Sequence, residues 1–200
     1  PQRDLRPISM TISIPLVLAV HPSLPVRNVK ELVALAKVKP GELTYSSSGP
    51  GASGHLTMEL LNFSTGMNTR HVPYRGAAPA VQDLLGGQVP FALMDSASVQ
   101  QYLVSGGKLR AIGVASPKRL PTMSEIPTLA EQGLADFEAY AWQGLVVPAA
   151  TPPEQIAKLN KALVAALEST PVKARFQTLA LEALPGTPQQ MAAYARGERE

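Results

Sequence analysis

Residues 43–56, LTYSSSGPGASGHL, carry a β-like run that stops at three serines and a glycine-rich turn, then passes directly into a helix-like segment. That order of strand, glycine turn and helix restricts the chain to an α/β layout and builds a seat for an anion. Gly49, Gly51 and Gly54 permit backbone conformations and close approaches that side chains block, and the unpaired N–H groups at the start of the following helix point into the turn. Ser46, Ser47, Ser48 and Ser53 add hydroxyls to it. From this segment alone, a polar connection whose serines only cap the helix is equally open.

Two sharper motifs overlap the same residues. Gly49, Gly51 and Gly54 satisfy G-x-G-x-x-G, the glycine pattern of dinucleotide sites, and Gly49 with Gly54 also has the spacing of a P-loop. A P-loop needs Lys and then Ser or Thr after its last glycine, where this chain has His55 and Leu56. A dinucleotide site needs an acidic residue about 20 positions further on, and the next strand-like run, 70–74, supplies none. Dinucleotide binding stays open as an alternative. The nucleophile elbow G-x-S-x-G is not met around Ser53, because His55 stands where its second glycine belongs.

A second connection of the same kind occupies residues 70–85, RHVPYRGAAPAVQDLL. A short strand meets Tyr74-Arg75-Gly76, and a helix follows from Ala77 with Val81, Leu84 and Leu85 on one face. A third strand, 89–94, ends at Asp95-Ser96-Ala97-Ser98 before a helix-like run over 99–104. Ligands of open α/β sheets sit outside the carboxyl ends of the strands, so the three loops are expected to converge on one site.

The rest of the chain fits an α/β sheet with helices on both faces. Asn28 is expected to cap a helix through Val38, with Leu32, Val33, Leu35 and Ala36 inward. Leu56, Leu60 and Leu61 are expected to form the apolar face of the next helix, which ends near Gly66. Residues 109–115, LRAIGVA, read as a buried strand of the parallel kind. Residues 116–127 read as a proline-rich crossing or linker. A strand over 139–147 precedes the clearest helix, 153–168, with Ile156, Leu159, Leu163 and Leu167 on one stripe. Two shorter helices follow, 172–180 and 188–196. The long apolar segments 7–20 and 139–148 are expected to cross between lobes with buried side chains.

Composition narrows the function classes. With 200 residues, 45% hydrophobic and 16% charged, the chain has enough apolar content for a real core. Its longest apolar run, 8–20, is broken by Thr11, Ser13 and Pro15 and falls short of the roughly 18 residues of a membrane span. The absence of cysteine removes disulfides, thiolate metal sites and cysteine nucleophiles. A net charge of +3 from scattered Lys and Arg, with 5% aromatics, gives neither a basic stripe nor a stacking platform, so no nucleic-acid partner is expected. Three histidines without i, i+4 pairing and no close carboxylate pair beside the glycine loop leave no expected metal, cofactor or enzymatic activity. The start at Pro1-Gln2-Arg3, directly before a strand-like run and without a visible signal peptide, suggests a cut within a longer protein.

Taken in order, PLVLAVHPSLPVRNVKELVALAK, KPGELTYSSSGPGASGHLTMELL, HVPYRGAAPAVQDLLGGQV, GKLRAIGVASPKRLP, EIPTLAEQG, WQGLVVPAATPPEQIAKLN and the GTP run at 186–188 resemble the Bug-type periplasmic solute-binding proteins of tripartite tricarboxylate transporters. The resemblance runs from about residue 7 to residue 195. It implies a two-lobed type II periplasmic-binding-protein fold with one lobe complete and the other partial. Residues 1–19 would be part of the first lobe and a crossing strand, 20–115 the second lobe, and 116–200 the return crossing and the C-terminal part of the first lobe. Family members also carry a signal peptide and a first βα unit with a Pro-Gly-Gly ligand loop, which this sequence lacks.

The implied function is a periplasmic receptor without cofactor, not itself inserted in the membrane. It would capture a small carboxylate-containing solute, a carboxylic acid or an amino acid, and deliver it to integral-membrane transporter subunits. The ligand residues implied are Ser46, Ser47, Ser48, Gly49, Gly51, Ala52 and Ser53 in the first loop, Tyr74, Gly76 and Ala77 in the second, and Asp95 at the third strand end. For Asp95 an N-cap role competes. His55 is expected either to touch ligand or to make a structural hydrogen bond, His21 and His71 to have no catalytic part, and Trp142 to pack at the lobe junction. A dinucleotide-dependent oxidoreductase and a ligand-sensing effector domain stay open as alternatives.

Overall fold

The computed structural model describes residues 3–103, 107–179 and 181–198. In chain order the elements are β1 (Leu5–Val20), α1 (Val29–Val38), β2 (Thr44–Ser47), α2 (Ser53–Thr65), β3 (Arg70–Pro73), α3 (Ala77–Leu85), β4 (Phe91–Asp95), α4 (Ser96–Leu103) and β5 (Arg110–Val114). A 3-10 turn (Pro121–Met123) follows, then β6 (Tyr140–Pro148), α5 (Pro153–Glu168), α6 (Thr170–Thr178), β7 (Glu182–Ala183) and α7 (Pro188–Gly197). Val104 and Ala180, expected as helix ends, lie outside the described residues. Among the described residues no helix is long and apolar enough to cross a membrane. The chain divides into two compact units, residues 15–141 and residues 1–14 with 142–200.

In the 15–141 unit the strands run in the order β3-β2-β4-β1-β5. β2 is parallel to β3, with Tyr45 opposite His71, and parallel to β4, with Tyr45 opposite Phe91. The carboxyl ends of these three strands, at Ser47, Pro73 and Asp95, therefore share one edge. β1 runs antiparallel to β4, with Leu16 opposite Asp95, and antiparallel to β5. This corrects the expectation of a parallel setting for residues 109–115. An unbroken apolar run reports that both faces of a strand are covered, as they are at Ile112 and Val114, and says nothing about its neighbour's direction.

The core of this unit joins Leu16, Leu18 and Val20 of β1 to Leu32 and Ala36 of α1, Tyr45 of β2, Met58 and Leu61 of α2, Phe91 and Leu93 of β4, and Ile112 of β5. Asn28 caps α1 as expected, its Oδ1 accepting the Glu31 N–H at 2.9 Å, while Glu31 Oε2 accepts the Arg27 N–H. Residues 116–127 are not a linker. Leu120 and Met123 are buried, and Thr128 bridges Val114. Just beyond them, Leu129 and Phe137 enter the core. The Gln132 amide donates to Ile112 O and accepts the Val29 N–H, both at 2.9 Å. These contacts carry the compact unit on to Ala141, past residue 115.

The face of α2 also departs from the expected one. Gly54, Thr57, Met58, Leu61 and Asn62 are buried, whereas Leu56 and Leu60 are 58% and 45% exposed. The cause is Gly54. A Cβ built there would stand 2.2 Å from Leu93 O, so the helix rests directly on the backbone of β4. That contact fixes the rotation of α2 about its axis and selects the stripe at i+3, i+4 and i+7 from Gly54.

In the other unit, Ile12 and Ser13 of β1 pair antiparallel with β7, and β1 also pairs with β6. Asn160 Nδ2 of α5 donates to Ile8 O (2.8 Å) and Gly186 O (2.7 Å), and Ser9 Oγ accepts the Gly186 N–H at 3.0 Å. Thr187 and Gln190 form a capping box at the start of α7. Trp142 Nε1 donates to Glu198 Oε2 and its ring meets Tyr194 edge-on, both within this unit. The burial expected of the two long apolar strands holds for most of β1 but not for β6, where Leu145 and Val146 are 42% and 41% exposed. Of the α5 stripe only Leu167 is buried. Apolar sequence marks a face that gains by being covered; among the described residues these faces are covered only in part.

Candidate functional site

The shared strand edge holds a cavity of about 190 Å³, lined by Leu16, Ser48, Ala52, Ser53, Gly54, Leu93, Met94, Asp95 and Ala141. Its volume lies below the range of drug-sized ligand pockets and suits a small solute. The start of α2 opens on it. The N-cap residue, Ala52, has no side-chain oxygen to offer, and the Leu56 N–H is bonded back to Ala52 O at 3.0 Å. The N–H groups of Ser53 and Gly54 precede that bond and have no intrahelical acceptor. Together with the helix dipole they present partial positive charge beside the Ser48 and Ser53 hydroxyls.

The rest of the first loop shapes this end. Ser46 and Ser47 are fully buried beneath it. Ser46 Oγ donates to Ala80 O at 3.5 Å, and Ser47 Oγ accepts the Gly49 N–H at 3.1 Å. Gly49 and Gly51 take φ values of 143° and 77°, which glycine tolerates and other residues resist. The Gly51 N–H donates to His55 Nδ1 at 3.1 Å and the Ala52 N–H to Gly49 O at 3.2 Å, so both donors are engaged within the loop.

The second loop is fastened to the first without lining the cavity. The Tyr74 N–H donates to Ser47 O (3.1 Å) and the Gly76 N–H to Ser48 O (3.0 Å), while Ala77 opens α3. The Tyr74 hydroxyl donates to Asp83 Oδ2 at 2.6 Å; burial and then the Asp83 carboxylate push its pKa up to about 12. At the third strand end, Asp95 both caps and lines. Its Oδ1 accepts the Ser98 N–H at 2.9 Å and the Ser98 hydroxyl at 2.7 Å, and the residue borders the cavity opposite Leu16.

A tier of rings that sequence reasoning did not bring together lies beside the loop. His55 stacks on His71 with centroids 4.1 Å apart, and His71 stacks on the fully buried Tyr45 at 5.1 Å. His71 Nε2 is hydrogen-bonded to Ser47 Oγ at 2.6 Å, and the Tyr45 hydroxyl donates to Glu59 Oε1. Burial and then the neighbouring His55 hold His71 below the ordinary imidazole value, with Glu59 opposing. Burial and the Glu59 carboxylate push the Tyr45 phenol far up. The signal that could have found this tier is the parallel β2–β3 register, which sets Tyr45 against His71. Among the described residues no group of three or more His, Asp or Glu is placed to hold a metal ion.

A family model described as the tripartite tricarboxylate transporter family receptor matches residues 1–200. Protein BugT of Bordetella pertussis is 34% identical over 195 residues, covering 98% of this chain and 60% of BugT. Among solved structures, R. palustris Rpa4515 with adipate superposes with a TM-score of 0.94 at 33% identity, over 99% of this chain and 66% of that one. The periplasmic binding protein BugD superposes with a TM-score of 0.90 at 32% identity, over 96% of this chain and 65% of BugD. The chain thus has the α/β fold of periplasmic binding proteins, and it spans less than two thirds of the length of each of these relatives. The matching family is one of transporter receptors, not of enzymes, and BugD is a periplasmic binding protein.

Proposed function

Because the chain belongs to the tripartite tricarboxylate transporter receptor family, we propose that it captures a small carboxylate-containing solute in the periplasm and delivers it to the integral-membrane subunits of a transporter of that type. The observation that carries this reading is the start of α2, a helix end without a side-chain cap that opens, with the Ser48 and Ser53 hydroxyls, on a small cavity at the carboxyl ends of parallel strands. Each charge-assisted hydrogen bond there contributes about 1.5 to 3 kcal/mol to holding an anion. In this reading a carboxylate of the solute lies against Ser53 and Gly54, and Asp95 accepts from a hydroxyl, an ammonium or a bridging water. Residues 15–141 act as the second of two lobes, and capture is closure. The solute shifts the protein to its closed form by the difference in affinity between the two states, and the transporter reads the closed surface.

Rpa4515 with adipate makes a dicarboxylate the first probe. Titration calorimetry with adipate, shorter dicarboxylates, hydroxyacids, acidic amino acids and NAD tests the reading. Saturable binding of a carboxylate, and none of NAD, is expected. Binding of NAD with no carboxylate bound would favour the dinucleotide-dependent alternative.

A further inference from the structure

Solute capture at α2 leaves the stacked pair His55 and His71 without a task. Both rings hold the backbone of the first loop. His55 Nδ1 accepts the Gly51 N–H at 3.1 Å, and an imidazole nitrogen accepts only while it carries no proton. His71 Nε2 lies 2.6 Å from Ser47 Oγ, which donates to Gly49 O and accepts the Gly49 N–H, both at 3.1 Å. His71 therefore donates to that oxygen, and the requirement for a neutral ring rests on His55 and on the stacking of the pair. The points secured are the two glycines at positive φ, where the chain has least conformational preference of its own. The groups that face the pair include Glu59 from α2, bonded to the Tyr45 hydroxyl, and Tyr45 and Ser47 from β2, and the two rings face each other.

We propose that His55 and His71 are positioning residues for the anion seat: as neutral rings they hold residues 47–53 in the shape that aims α2 at the cavity, and protonation of the pair releases the loop and weakens solute binding. This rests on the reading that the solute sits at the start of α2. A proton on His55 Nδ1 turns the acceptor of Gly51 into a second donor. Two cations with ring centroids 4.1 Å apart also repel. The sign follows from His71, whose folded value is lowered. The unfolded chain binds that proton more readily, so the contribution to order is present above the ordinary imidazole value of about 6.5 and is lost as pH falls through the lower folded value. By linkage the same proton opposes the solute.

Nitrogen and amide NMR on the solute-free protein decides the loop part. The neutral ring of His55 is expected to carry its proton on Nε2, since Nδ1 accepts from Gly51, and the Gly51 amide shift is expected to change with pH together with the ring nitrogens. His55→Asn keeps an acceptor oxygen near the place of Nδ1 but takes up no proton, so its Gly51 amide should be flat with pH. Titration with adipate at pH 7.5 and 5.5 gives the second readout, the acid's own protonation being common to all proteins compared. Wild type is expected to lose at least about threefold more affinity on acidification than His55→Asn, and His55→Asn to bind more tightly at pH 7.5 than His55→Phe. A neutral His55 ring protonated on Nδ1, a Gly51 amide indifferent to the rings, or equal acid weakening in wild type and His55→Asn would overturn the proposal. If the Gly51 amide follows the rings and adipate, shorter dicarboxylates and hydroxyacids all fail to bind at any pH, the solute reading falls and the loop-positioning role stands.

Discussion

Gly54→Ala is the most direct perturbation of how α2 is aimed. A methyl group at this position would stand 2.2 Å from Leu93 O, well inside ordinary van der Waals contact, and that oxygen belongs to a strand held on both sides, by β2 and β1. Overpacking of this kind costs about 1 to 3 kcal/mol, and a backbone obstacle in a paired strand puts the cost at the upper end. Exchanging Gly for Ala inside a helix returns about 1 kcal/mol. The net loss is about 2 kcal/mol, which for a chain of this length lowers the melting temperature by about 4 to 8 °C. Because α2 must lift or rotate to admit the methyl, its first N–H groups move with it, and affinity for a bound carboxylate should fall alongside stability. Thermal unfolding by circular dichroism and calorimetry on the same samples measure both. A melting temperature equal to or above that of the wild type would refute the close α2–β4 contact and the rotation of α2 derived from it.

Ser48→Ala and Ser53→Ala are each expected to weaken carboxylate binding by about tenfold, with Arg75→Gln mattering less; calorimetry showing the reverse order would point to an arginine clamp instead of a helix-end seat. Leu56→Ser with Phe63→Ser should leave stability within about 0.5 kcal/mol, since Phe63 is 89% exposed and Leu56 lies on the outer side. Leu61→Ala, on the buried side of the same helix, should cost about 2 to 5 kcal/mol in denaturant unfolding. Tyr74→Phe should cost about 1 kcal/mol at pH 8 through the lost bond to Asp83. The folded phenol value is raised, so this bond stabilises fully below pH 10 and is lost as pH rises through about 12; the wild-type advantage should vanish over that range.

The sequence carried local information well where one residue decides a local structure. Asn28 and Gly66 bound their helices because a side-chain acceptor and a left-handed cap act within one turn. The Ser/Gly turn after β2 was legible for the same reason. What sequence could not convey was set by contacts across the sheet. Leu56, Leu60 and Leu61 look like an apolar face, but the face of α2 is chosen by the approach of Gly54 to Leu93 O, and Leu93 is far along the chain. The apolar run of β5 is the same whether its neighbour is parallel or antiparallel. Leu120 and Met123 sit in a proline-rich stretch whose burial depends on packing, not on periodicity. In the site, the first loop and Asp95 were both readable as strand ends, and they meet at one cavity. That Tyr74 and Gly76 fasten the loop from outside that cavity depends on hydrogen bonds to Ser47 O and Ser48 O, which no spacing encodes. The stacking of His55 on His71 likewise needed the β2–β3 register.

The central claim is that a carboxylate is held by the start of α2. A crystal structure of the protein with the carboxylate that binds most tightly in calorimetry tests it most directly. The expected result is a carboxylate oxygen at about 2.9 Å from the Ser53 or Gly54 nitrogen, with a second hydrogen bond from the Ser48 or Ser53 hydroxyl and Asp95 within reach of the same molecule. A carboxylate bound away from this helix end, with Ser48, Ser53 and Gly54 untouched, would contradict it.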